Sequence, residues 1–170
     1  FSACRDKAVA NAQVNDSNVS YVEVYNNNGA TWYNYRSFVP VDASGLEDDA
    51  TIESASFYFY ANAHTVNDDD AQAYIGLVNT TMADPVALAL ADFGTVVFTS
   101  GGQIDLHDIT NLQYNEIVLN ETGIGWISKT GWSKLALLEG HEIENVSTAT
   151  SGEVDNQLSL ATSRYTDTSH

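Results

Sequence analysis

Asn67-Asp68-Asp69-Asp70 sets several hard oxygen donors in one short segment. Ca²⁺ takes roughly six to eight oxygen ligands, and adjacent carboxylates repel one another until a cation sits between them. Asp68, Asp69 and Asp70 are therefore the candidate metal ligands, with Ca²⁺ as the ion and no other cofactor implied. The run lacks EF-hand spacing and that loop's glycine, and a solvated acidic loop tip is the commoner role of such a segment. Both readings stay open. Glu47-Asp48-Asp49 is a weaker instance of the same pattern.

His141-Glu142-Ile143-Glu144 resembles a zinc-protease helix only superficially, because no second histidine follows at the required spacing. It comes straight after an apolar strand pattern, so the sequence favours a turn rich in solvated carboxylates at Glu139, Glu142 and Glu144 over a helix. No phosphate-binding glycine loop, nucleophile elbow or Cys–His pairing occurs, and no catalytic residue is nominated. Carbohydrate binding needs exposed aromatic faces beside polar groups. Tyr58, Tyr60 and Trp32 are the candidates, with Tyr33 and Tyr35 close to Trp32 in sequence. Core packing of the Tyr58/Tyr60 face is the competing reading. Asn-x-Ser/Thr sequons stand at Asn15, Asn18, Asn79, Asn120 and Asn145, acceptor sites if the chain is a surface glycoprotein and silent in a phage virion.

The elements that must carry these residues read as strands. Val19–Tyr25 alternates apolar and polar residues, and Asn26-Asn27-Asn28-Gly29 breaks the run with residues that tolerate left-handed backbone. A second strand runs from Trp32 to Val41, with Pro40 marking a sheet edge. In Ala55–Ala61, Ala55, Phe57, Phe59 and Ala61 share one face, and Ser56, Tyr58 and Tyr60 share the other. Ala73–Val78, Thr95–Phe98, Gln103–Leu106, Glu116–Leu119, Lys134–Leu138 and Gln157–Thr162 complete the strand set. Two short surface helices are expected, over Pro85–Ala91 with Asp84 as N-cap and over Thr122–Ser128.

At 170 residues the chain suits one domain with a core of its own, here a single all-β domain spanning residues 1–170. Six Lys and Arg against 23 Asp and Glu give a net charge of −17. That surface repels phosphate backbones and anionic lipid, so nucleic acid is excluded as a partner. No segment is long and apolar enough for a membrane span. Cys4 is the single cysteine, read as a buried inert thiol. The first residue, Phe1, follows neither a Met nor a leader, the expected look of a processed or excised piece.

Tyr35-Arg36-Ser37-Phe38-Val39-Pro40-Val41-Asp42-Ala43-Ser44-Gly45-Leu46, followed by Ala50-Thr51-Ile52-Glu53-Ser54-Ala55, resembles the signature of DNRLRE-like, or TGF-β-propeptide-like, jelly-roll modules of bacterial, archaeal and phage surface proteins. Looser similarity continues through Tyr74–Val78, Gly125–Gly131 and Leu138–Asn145. The resemblance implies a jelly-roll-type antiparallel β-sandwich without catalytic residues. It also implies a structural or adhesive module of an extracellular, cell-surface or virion-surface assembly or filament. A carbohydrate-binding module of a larger secreted enzyme or adhesin is the alternative. Within the block, Arg36 and Asp42 suit an ion pair, and Asp42-Ala43-Ser44-Gly45 suits an Asx turn. Family members close with a further strand after a turn like Ser163–His170, where this sequence stops. The expectation is a missing closing strand and an open edge beside Gln157–Thr162. Residues beyond His170, or a strand from another copy or from a parent surface protein, would fill that edge.

Overall fold

The computed structural model describes residues 1–13 and 19–162. The chain is an antiparallel β-sandwich with a few short helices, as the alternation predicts. β1 (Val19–Asn27) and β2 (Thr31–Tyr35) form a hairpin whose turn places Asn28 (φ 50°) and Gly29 (φ 73°) in left-handed backbone. Asparagine and glycine tolerate that geometry better than other residues. β3 (Ser37–Phe38) and β4 (Val41–Asp42) follow, split at Val39-Pro40, and β3 is an edge strand as the proline implies. β5 (Ser56–Thr65), β6 (Tyr74–Asn79), β7 (Gln103–Asp105), β8 (Gln113–Val118), β9 (Trp132–Ser133), β10 (Leu135–Glu139) and β11 (Glu153–Ala161) complete the set.

Five strands in the order β2-β1-β11-β5-β8 make the larger sheet, and β3-β10-β6-β7 make the smaller. A short β4–β9 pair lies apart from both. Val22, Phe59, Ala61, Ile117, Leu158 and Leu160 of the larger sheet pack against Ile75, Leu77, Leu135 and Leu137 of the smaller. β6 and β10 are buried nearly throughout, because the outer face of the smaller sheet is itself covered. Val78, Ala136 and Leu138 there meet Val96, Ile143, Phe38 and Phe98. The larger sheet keeps a clean alternation, with one face in the core and the other outward.

Several expectations change. β11 is a central strand, paired with β1 through Val22↔Leu158 and with β5 through Leu160↔Ala61. The expected open edge beside Gln157–Thr162 is filled by β1, since the chain's own first long strand returns to pair with its last. The turn at Ser163–His170 lies outside the described residues. Pro85–Ala91 is not an α-helix: Asp84 accepts from Val86 N–H in an Asx turn, and only the last two residues, Leu90 and Ala91, are helical, as the start of a 3-10 helix at Leu90–Thr95. That 3-10 helix consumes the start of the expected Thr95–Phe98 strand and leaves a single bridge, Val96 to Thr80. The Thr122–Ser128 helix is one turn, α2 (Glu121–Ile124), capped by Asn120. Two other single turns are α1 (Ser2–Arg5) and α3 (Gly140–Glu144), the latter where a carboxylate-rich turn was expected.

Asp42 makes the expected Asx turn with Ser44 N–H at 3.0 Å, but Arg36 does not reach it. Arg36 instead pairs with Glu142 at 2.6 Å, and both side chains are buried. Its guanidinium also donates to the carbonyls of Arg5 and Phe93 and lies 3.6 Å over the Phe93 ring. A buried carboxylate captures the arginine because it offers an undiluted charge in low dielectric, whereas Asp42 is wet.

Removing one partner of such a pair leaves an uncompensated buried charge. Arg36→Met is expected to lower the unfolding free energy by about 3–5 kcal/mol in urea titration. The double variant Arg36→Met/Glu142→Leu should recover most of that loss. A single variant as stable as wild type would contradict the buried pair.

Candidate functional site

Two features stand out, on opposite sides of β11. The first is the outward face of the five-stranded sheet. Strand alternation sends Tyr21 and Tyr25 of β1, Tyr33 and Tyr35 of β2, Tyr58 and Tyr60 of β5, and Tyr114 of β8 to that face. Seven of the nine tyrosines thus share one surface, with Tyr58 59% and Tyr114 75% exposed. Tyr25 and Tyr33 lie with ring centroids 5.7 Å apart, and Tyr60 meets Tyr114 edge-on at 5.4 Å. Between the two aromatic groups runs β11, which turns Glu153, Asp155 and Gln157 outward opposite Asn27, Tyr25 and Glu23. From β2 to β8 the platform spans roughly 19 Å, four strand gaps of ~4.8 Å each.

A shallow cleft of about 360 Å³ opens at one end, lined by Glu23, Tyr25, Asn27, Tyr33, Tyr35 and Asp155. Gln157 Nε2 donates to Glu23 at 2.7 Å, and the Tyr25 hydroxyl donates to Glu153. The Tyr25 phenol is pushed up to about 12, chiefly by that hydrogen bond to a carboxylate. At the other end the Tyr58 hydroxyl donates to Glu116 at 2.8 Å. Of the sequence candidates, Tyr58 and Tyr60 are on this platform and not in the core. Trp32 is not: it faces inward opposite the buried Asn26 and packs edge-on against Phe1 at 5.3 Å. Odd and even positions of β2 face opposite ways, so Tyr33 and Tyr35 occupy the surface expected of Trp32.

The second feature lies between the sheets at the β5–β6 loop. There Asp68 and Asp70 come together with His141 of α3, their ligand atoms all within 4.8 Å of one another. His141 Nε2 is 3.3 Å from Asp70 Oδ2 and 3.5 Å from Asp68 Oδ2, in a fully buried imidazole. Its other nitrogen, Nδ1, lies 2.8 Å from Glu139 Oε1, and Glu139 also accepts the His141 backbone N–H. Asp69 is not in the cluster; it is exposed and turns toward His107 at 3.6 Å. The bends of this loop send Asp69 away from its two neighbours.

Asn156 of β11, fully buried, holds the arrangement. Its Oδ1 accepts the backbone N–H groups of Asn67 and Asp68, and its Nδ2 donates to Asp68 O and Glu139 Oε1. Gly140 opens α3 hard against Gln72 O and the Tyr74 ring, where any Cβ would collide. Burial raises the pKa of Glu139 against the His141 hydrogen bond. For His141 burial acts downward, but the Glu139 contact and the charges of Asp70 and Asp68 leave it raised. Glu139 and Glu142, expected as solvated, are both fully buried, and only Glu144 of the three is exposed. His141 and Glu142 were invisible as site residues because their partners lie many tens of residues away in sequence.

The sequons fall unevenly. Asn120 and Asn145 are exposed and Asn79 is half-buried, while Asn15 and Asn18 lie outside the described residues. Asn120 uses its side chain to cap α2 and to reach Ser100 O.

Burial raises the Glu23 carboxyl, opposed by the Gln157 hydrogen bond and assisted by the charge of Asp155. Burial, then Glu153, raises Asp155 as well. The folded state therefore binds these protons more tightly than the unfolded chain does. Their stabilising contribution is present below the unfolded pKa values and is lost as pH rises through the folded ones. Carbon-detected NMR titration should find both carboxyls above their ordinary values, and Glu23→Gln should flatten the fall in stability over that window. Titration of either at or below its ordinary value would contradict the half-buried environment.

Compared with known proteins, the chain matches no family model, no curated protein and no solved structure, so its site is read from its own geometry.

Proposed function

We propose that the chain is a non-catalytic carbohydrate-binding β-sandwich module whose ligand lies across the tyrosine face of the five-stranded sheet. The observation that carries this reading is the gathering of seven tyrosines on one outward surface around a polar central strand. Sugar C–H faces stack on aromatic rings, while carboxylate and amide groups such as Glu23, Asp155 and Gln157 accept from and donate to hydroxyls. Tyrosine suits the role because its ring is amphipathic and has few rotatable bonds to immobilise. An open platform some 19 Å wide fits an extended chain better than a single sugar.

Charge narrows the ligand. Glu23, Glu116, Glu153 and Asp155 share the face, and the chain carries −17 overall, so uronic or sulfated polymers are repelled and a neutral glycan is favoured. The resemblance to surface modules supports an extracellular, cell-surface or virion-surface setting, in which an adhesive role is the natural use of glycan binding. Attachment to partner chains through the edge beside β11 is not part of this reading, because β1 occupies that edge.

A glycan array followed by calorimetry on neutral polysaccharides tests it. Tyr33→Ala and Tyr58→Ala, each exposed and distant from the core, are each expected to weaken binding about 2- to 12-fold. Unfolding midpoints should barely move. Silence across neutral glycans, or affinity indifferent to both substitutions, would reject the proposal.

A further inference from the structure

We infer that Asp68, Asp70 and His141 bind one divalent first-row transition ion of the Zn²⁺ kind, which fastens the β5–β6 loop to α3. The ion differs from the Ca²⁺ that the acidic run alone suggests, and the site lies apart from the tyrosine platform. A carboxylate cluster would not suffice. The decisive group is His141 Nε2, which is fully buried, aimed at both aspartates and without a hydrogen-bond partner. With Nδ1–H donating to Glu139, Nε2 is left facing two anions, and either a second ring proton or a bound cation relieves that arrangement.

Distance separates two occupants of that space. A protonated imidazole would close on a carboxylate to ~2.7–2.9 Å, the length of a charge-assisted hydrogen bond. A tetrahedral ion at ~2.0–2.2 Å from nitrogen and oxygen ligands instead holds those ligands about 3.4 Å apart. The observed separations are 3.3 and 3.5 Å. The chemistry of the donors agrees: Ca²⁺ and Mg²⁺ take oxygen, whereas imidazole selects Zn²⁺ and its transition-metal neighbours. Supporting contacts are also of the kind metal sites use. Glu139 fixes the histidine ring, Ala149 N–H holds Asp68 Oδ2 at 2.6 Å, and Gln72 N–H holds Asp70 Oδ1 at 2.8 Å. Asp70 is 39% exposed, so the ion has an entry path and water completes its coordination.

The test uses the full chain, stripped with a chelator and titrated with ZnCl₂ by calorimetry and with CoCl₂ by visible absorption. One equivalent should bind, with Co²⁺ giving the strong visible bands of a four-coordinate site. Free Zn²⁺ at 100 times its Kd should raise Tm by roughly 5–10 °C, and CaCl₂ at the same concentration should leave it unmoved. Asp70→Asn, at a partly exposed position that tolerates the change, is expected to weaken Zn²⁺ at least tenfold. Glu139→Gln should weaken it about 10- to 100-fold. Asp69→Asn, in the same loop, should change it less than twofold. Absence of stoichiometric Zn²⁺ binding, an equal response to Ca²⁺, or equal effects of Asp69→Asn and Asp70→Asn would each overturn the assignment.

Discussion

A polar side chain at the centre of an apolar sandwich is tolerated only when every donor and acceptor it carries finds a partner. Asn156 meets that condition with four bonds, two received at Oδ1 and two given from Nδ2. Those bonds reach the β5–β6 loop on one side and the end of β10 on the other. Three distant parts of the chain therefore become one unit, and none can move without stranding a buried polar group. Truncating Asn156 would leave the Asn67 and Asp68 N–H groups and the Glu139 carboxylate short of partners together, which is costlier than losing one surface contact.

The same turn is held from a second direction. Consecutive residues on a helical turn point about 100° apart, so His141 and Glu142 look to different neighbours. His141 faces Glu139 and the two aspartates, while Glu142 faces Arg36, whose other donors go to Arg5 and Phe93 carbonyls. Arg5 adds a 2.6 Å bond to Glu142 O and lies 3.5 Å over the Phe98 ring. This polar lattice, with Val96, Phe98 and Ile143, covers the outer face of the smaller sheet. Among the described residues nothing comparable lies over the tyrosines of the larger sheet, and this asymmetry between the two faces is what sets the platform apart.

How much of this was legible follows from where the determining contacts lie. β1, β5 and β11 could be read because their alternation is a local pattern imposed by one wet and one dry face. β6 and β10 could be read as apolar runs. Asn28-Gly29 announced its own turn. Thr95–Phe98 failed because an apolar run short enough for a strand also suits a loop pressed on a covered sheet, and Asp92 capping the 3-10 turn decided the matter. His141-Glu142 failed for the opposite reason. Charged residues read as solvated unless a partner is known, and Arg36 is 106 residues away from Glu142. Asp68 and Asp70 were legible as ligand types but not as a pair that excludes Asp69. Trp32 was placed on the right strand and the wrong face, since neighbouring Trp32 and Tyr33 cannot both look outward.

The buried node and the open platform are set by one choice of register. On β11, Asp155, Asn156 and Gln157 alternate outward, inward, outward, and a slip of one residue would exchange them. Asp155 and Gln157 would enter the core without partners, and Asn156 would leave the loop and Glu139 unsatisfied. The hydrophobic pattern alone opposes that slip through Leu158 and Leu160. The Asn156 bonds oppose it again at the strand's other end, where Asp155 N–H also reaches Asn67 Oδ1 at 3.2 Å. The polar groups on the outward, tyrosine side of β11 are thus positioned by the polar groups that converge on His141 on the other.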